Sequence, residues 1–147
     1  MPATAKDVNG LIQEAATAYL TISPGVQQPY SLTPARWAYA AATGGIVNTT
    51  TAVTVKTAAG AGVRNFVTGL QISTDALGAA TELVIRDGAG GAVLWRTKLG
   101  TAAINGPLEV NFAVPLVGSA NTLLEIVTLT ATVTGGVYVS VQGYTGS

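Results

Sequence analysis

The sequence contains no cysteine and no histidine. Without cysteine there is no disulfide framework and no thiolate nucleophile. Without histidine the commonest general base and the commonest metal ligand are both missing. Charge is scarce too: 10% of the residues are Asp, Glu, Lys or Arg, against about 25% in an ordinary globular domain. Seven basic and seven acidic side chains cancel. No clustered basic stripe offers nucleic acid an electrostatic footprint. No run of about 18 apolar residues passes without a charge, a proline or a polar break, so no membrane span is expected. The opening MPATAKDVNG lacks the apolar run of a secretory signal.

What is present is apolar and small. Hydrophobic residues make up 48% of a 147-residue chain, enough for one domain with a real core. A surface this poor in charge favours association. The expectation is a chain much of whose surface is covered in an assembly.

The stretch TELVIRDGAGGAVLWRTKL, residues 81–99, organises the rest. Leu83 and Ile85 alternate with Glu82, Val84 and Arg86, and Val93, Trp95, Thr97 and Leu99 alternate with Leu94, Arg96 and Lys98. This is the pattern of two strands with one buried face, folded back on a glycine-rich turn. Slipping the pairing by one residue inverts every side chain. A loop of three or five residues is therefore expected, with Ile85 opposite Val93 or Trp95. Glu82 then faces Arg96 or Lys98 as a solvated cross-strand pair worth at most about 1 kcal/mol.

Upstream, residues 5–20 have a helical rhythm, with Val8, Leu11, Ile12, Ala15 and Tyr19 near one side and Gly10 weakening it. Residues 21–35 hold three of the six prolines and read as an extended connector. Residues 1–45 are thus expected to be an N-terminal arm, with or without a short helix, and 46–147 the folded domain. Tyr30, Trp37 and Tyr39 need burial, either on their own domain or on a neighbour.

Downstream, Val53 and Val55 mark a strand. Phe66, Thr68, Leu70 and Ile72 share a face, with Gly69 marking a bulge or a close backbone approach. Leu108, Val110 and Phe112 face inward, and Pro115 suits an edge or a bend. Leu124, Ile126 and Thr128 oppose Leu123, Glu125, Val127 and Leu129, with both faces partly covered. Val137, Val139 and Val141 point inward, leaving Tyr138 and Tyr144 outward, as interface anchors or as ordinary amphipathic residues of a sheet. The expected fold is all-β: an antiparallel sandwich of jelly-roll type with about eight strands. The immunoglobulin-like alternative lacks its Cys–Trp–Cys signal.

Little chemistry is on offer. No histidine activates a serine, and no GxSxG elbow occurs. Glu82, Asp87, Glu109 and Glu125 fall on separate strands or turns, so a carboxylate pair for acid–base work is not expected. DGAGG supplies one carboxylate, too few for calcium, and no GK[ST] follows the glycine runs to make a phosphate loop. Neither an enzyme nor a cofactor or metal site is expected.

Four segments carry a family resemblance. They are YSLTPARWAYAAATGGIVNTTTAV (30–53), GVRNFVTGLQISTDALGAATELVIRDGAGGAVLWRTKL (62–99), PLVGSANT (115–122) and VYVSVQGY (137–144). Within them stand Arg64-Asn65-Phe66 with Thr68, Thr81-Glu82, Trp95-Arg96, Pro115-Leu116 with Gly118 and Asn121-Thr122, and Gln142-Gly143-Tyr144. Over about residues 30–147 the chain resembles a group of small tailed-phage structural proteins. The resemblance implies a virion component assembled in the host cytoplasm, a head decoration or cement protein that binds the major capsid protein and self-associates as a dimer or trimer. It brings no catalytic residues. The candidate interface residues are Tyr19, Tyr30, Trp37, Tyr39, Tyr138 and Tyr144. The alternatives are a tail or fibre-base protein, or a carbohydrate-binding module using Tyr138, Tyr144 and Trp95.

Overall fold

A computed structural model describes residues 34–147. The expected helix, Tyr19 and Tyr30 lie outside the described residues. Among those described there is no helix. Nine strands form two antiparallel sheets: β1 (Ala35–Tyr39), β2 (Ile46–Val47), β3 (Val53–Lys56), β4 (Arg64–Thr74), β5 (Thr81–Asp87), β6 (Ala92–Leu99), β7 (Ile104–Val117), β8 (Leu124–Thr128) and β9 (Gly136–Gly146). One sheet runs β1-β9-β4-β7, with β2 also on β9, and the other runs β3-β8-β5-β6. The sheet begins at Ala35, not at residue 46: β1 pairs with β9 from Ala35↔Thr145 to Tyr39↔Val141.

The pairings nest about the hairpin. β5 pairs with β6, β4 with β7, β3 with β8, and β1 and β2 with β9. The chain is thus a two-stranded ribbon with its tip at residues 88–91. Rolling that ribbon up adds the pairs β4–β9 and β5–β8.

At the tip, Ile85 faces Trp95, and Glu82 faces Lys98 while reaching diagonally to Arg96 at 3.2 Å. The loop between the paired Asp87 and Ala92 is Gly88-Ala89-Gly90-Gly91, an even count, where three or five residues were expected. A bulge reconciles the two. Arg86 pairs with Val93 and Ile85 with Trp95, leaving Leu94 without an opposite residue. One extra residue restores the parity that the turn breaks. The turn is also held from outside: Arg86 Nε (2.8 Å) and the Gly90 N–H (2.9 Å) both donate to Oε1 of buried Glu125.

The core lies between the sheets. Leu70, Ile72, Val137, Val139 and Val141 come from one side, and Leu83, Ile85, Leu124 and Ile126 from the other. All five residues of β8 are buried, which explains its apolar residues on both faces. β4 departs from its expected single face. Val67 pairs with Gly143 and Gly69 with Gln142, so Thr68 is bulged. The inward series is therefore Asn65, Val67, then Leu70, Ile72 and Thr74, and Phe66 and Thr68 are only half-buried. β7 is an edge strand. Four residues, Phe112 to Pro115, stand opposite Thr68 alone in its register with β4. Pro115 thus sits in an irregularity on an edge, where its missing N–H is tolerated. Leu108, expected inward, is 47% exposed. Trp95 on β6 meets Phe112 on β7 edge-on, ring centroids 6.2 Å apart, and closes that side of the sandwich.

Gly143 is fixed by sterics. A Cβ there would lie 2.7 Å from the Trp37 ring and closer still to the Phe66 carbonyl oxygen. Trp37, its cross-strand partner, lies over the space that a side chain would fill. Gly143→Ala is expected to destabilise the fold by about 1–3 kcal/mol through overpacking. In urea titration the midpoint should fall with the slope unchanged; an unmoved midpoint would show that β1 is not packed against β9 in this register.

Candidate functional site

The described residues hold five carboxylates, and four are engaged by their own chain. Asp75 accepts from the Gly136 N–H and from the Tyr138 hydroxyl. Glu82 accepts from Arg96. Asp87 accepts from the Ser119 N–H and hydroxyl. Glu125 accepts from Arg86 and Gly90. Only Glu109 has no partner among the described residues. No group of three potential metal-ligating side chains occurs among them either.

Short polar side chains do the latching that disulfides do elsewhere. Buried Asn65 donates through Nδ2 to the carbonyls of Thr57 and Thr122, both at 3.0 Å. Thr81 Oγ1 donates to the Thr130 carbonyl (2.7 Å), Thr128 Oγ1 to the Thr49 carbonyl (2.7 Å), and the Asn48 N–H donates to Thr132 Oγ1 (2.9 Å). The first three fasten a strand to loops and the last joins two loops.

The candidate interface residues divide. Trp37 and Tyr39 are partly buried against the domain's own core. Tyr138 and Tyr144 are half-buried on the outer face of the β1-β9-β4-β7 sheet. Tyr144 stacks on Phe66 across the β4–β9 pair, centroids 4.6 Å apart and planes within 8°. Trp95 pairs with Ile85 in the inward phase of the other sheet, so it shares no face with the two tyrosines.

Two surfaces stand out instead. One is the outer face around Gln142. A groove of about 720 Å³ lined by Arg36, Trp37, Ala38, Thr68, Gln142 and Tyr144 adjoins a hollow of about 150 Å³ lined by Gln71, Glu109, Asn111, Ser140 and Gln142. The sequence showed outward polar residues on β9 but not their neighbours, because pairing across β4 and β7 is not written locally. The other is the wall where edge strands β6 and β7 meet. It exposes Val93 and Val114 (80%); Leu108, in register with inward Ile72, and Val117, in register with outward Phe66, are also exposed on β7. Strand phase does not reveal the wall, since Val114 lies inside the β7 irregularity. Exposed Val133 adds a separate feature: its φ is +68° and the Thr134 N–H bonds to the Thr132 carbonyl, a γ-turn. A β-branched residue there is strained.

No protein-family model matches the chain, nor does any curated protein or solved structure.

The Tyr138 phenol titrates above its ordinary value of 10.0, first because it donates to Asp75 and second because that carboxylate is negative. A raised folded value means that this contact contributes fully below the unfolded value and is lost as pH rises through the folded one. Asp75→Asn should bring one tyrosine midpoint back toward the ordinary value in an absorbance titration; an unchanged curve would rule out the contact. Val133→Gly should stabilise the fold by about 0.5–1 kcal/mol, relief of φ strain outweighing the added chain entropy. A lowered thermal midpoint would count against the strain.

Proposed function

We propose that this chain is a non-enzymatic structural component of a tailed-phage virion, a decoration or cement protein that binds the major capsid protein lattice and stabilises the head, with a fold of jelly-roll type. The fold reading draws support from the strand order. A ribbon nested about one hairpin and rolled so that β9 lies beside β4 and β8 beside β5 is what two interlocked Greek keys require.

The functional reading rests chiefly on the β6–β7 wall. A net-neutral chain with 10% charge leaves Val93, Leu108, Val114 and Val117 of the two edge strands in water. Apolar residues grouped in this way suit a contact surface. Pro107 and Pro115 on β7 lack an N–H, which disfavours strand addition. The contact would form through side chains. Repeated over symmetric copies, burial worth about 25 cal/mol per Å² would add up across a shell. The engagement of four of five described carboxylates in structural hydrogen bonds supports a role without acid–base chemistry.

The full chain should co-sediment with purified expanded capsids and not with tails. Val93→Asp combined with Val114→Asp should abolish attachment, while the fold, followed by circular dichroism, stays intact at these exposed positions. Attachment to tails alone would favour the fibre-base alternative. Attachment to neither particle would sink the virion reading.

A further inference from the structure

The outer face of the β1-β9-β4-β7 sheet is built in rows by its register. Ala38 faces Gln142, Gln142 faces Gly69, and Gly69 faces Asn111. In the next row Ser140 faces Gln71 and Gln71 faces Glu109. On the other side Arg36 faces Tyr144, Tyr144 faces Phe66, and Phe66 faces Val117. Small residues at 38, 69 and 140 make a floor, and the stacked pair Tyr144–Phe66 makes a wall. The result is a trough across four strands, roughly 14 Å wide at about 4.8 Å per strand spacing.

Its chemistry is specific. The side-chain amides of Gln71, Asn111 and Gln142 are exposed and make no hydrogen bond among the described residues. Each carries two donors and an acceptor with two lone pairs. Glu109, the carboxylate without a partner, lies at the same floor. Tyr144 has one ring face against Phe66, which leaves the other turned toward β1 and the groove. Between Arg36 at one corner and Glu109 at the opposite one, every lining side chain is uncharged, so no net field selects an ion. Gly69 lets the amides settle onto the floor: a Cβ there would come within 2.9 Å of the Val110 carbonyl oxygen, 3.0 Å of Asn111 Oδ1 and 3.4 Å of Gln142 Nε2.

We propose that this trough binds a neutral glycan, a chain of about two or three hexose rings. Neighbouring sugar hydroxyls, each both donor and acceptor, match carboxamides and a carboxylate held at strand spacing. The free face of Tyr144 takes the apolar C–H face of a ring. A flat partner protein could use amides as well, but it would gain little from a trough whose floor is small and polar. The proposal does not depend on the virion reading, because it concerns the isolated chain.

The test is a glycan microarray spanning neutral and acidic chains, probed with the purified full chain, followed by affinity electrophoresis in gels holding the best-bound glycan. Neutral glycans should be retained and acidic ones not. Gln142→Ala combined with Asn111→Ala should weaken retention by at least about tenfold, the loss of some 1.4 kcal/mol. Ala38→Arg, which fills the trough from an exposed edge position and leaves every amide in place, should do the same. Both variants should keep the wild-type thermal midpoint. Retention of acidic glycans alone, no retention, or retention unaffected by either variant overturns the proposal. Loss of capsid co-sedimentation in the amide variant without glycan binding would show the trough to be a protein contact instead.

Discussion

Strand phase is the constraint on which this sandwich depends. A strand buries one face only while its alternation holds, and one inserted residue sends the whole apolar set into water. The chain inserts such residues where the alternation would otherwise fail. Leu94 corrects the four-residue turn of the β5–β6 hairpin. Thr68 lets Asn65 and Val67 share a face with Leu70 and Ile72. Because the strand pairs nest about the hairpin, an error at its tip would be passed outward to every pair around it. The tip is accordingly clamped from the neighbouring strand: Glu125 on β8 receives both Arg86 and the Gly90 N–H.

The same dependence decides what could be read in advance. The inward set of β9, Val137, Val139 and Val141, was legible because the strand has no bulge among those residues and buries one face. The Ile85–Trp95 pairing was legible because two apolar faces must meet. The loop length was not, since an odd loop and an even loop with one bulge give the same pairing. The phase of β4 was missed for a related reason. Gly69 signalled an irregularity but could not say that Thr68 would be the extra residue. Five residues flanked by proline and alanine carry little signal of their own, so β1 reads from the sequence as part of an arm. Its place in the sheet comes from Trp37 and Tyr39 packing on the core and from Gly143, which makes room for the Trp37 ring.

Scarcity of charge and abundance of threonine are two sides of one solution. Without disulfides, the loops at both ends of the sandwich still have to be tied down. Long charged side chains would lose more rotamer freedom on being fixed than short hydroxyl and amide ones. Thr81 on β5 and Thr128 on β8 each fasten a strand to a loop, Thr132 holds the loop at Asn48, and Asn65 on β4 bridges two carbonyls at once. Each such bond contributes about 1 kcal/mol net.

This economy sharpens the contrast between the two surfaces left over. Where the chain uses polar atoms for its own structure it pairs most of them, buried Trp37 Nε1 and Asn65 Oδ1 excepted. Gln71, Glu109, Asn111 and Gln142 break that habit together, on one face and in adjacent register rows, around floor positions too small to shield them. On the β6–β7 wall the departure is of the opposite kind: apolar side chains left in water beside a strand that prolines keep from extending the sheet. A sandwich stabilised only for its own sake has no need of either. The trough lies on the outer face of the β1-β9-β4-β7 sheet, where Val117 ends its Phe66 row, whereas Val93 belongs to the other sheet and Val114 to the β7 irregularity. Under the two proposals, Val93 and Val114 would be covered by a neighbour while the amides of the trough stay open to solvent.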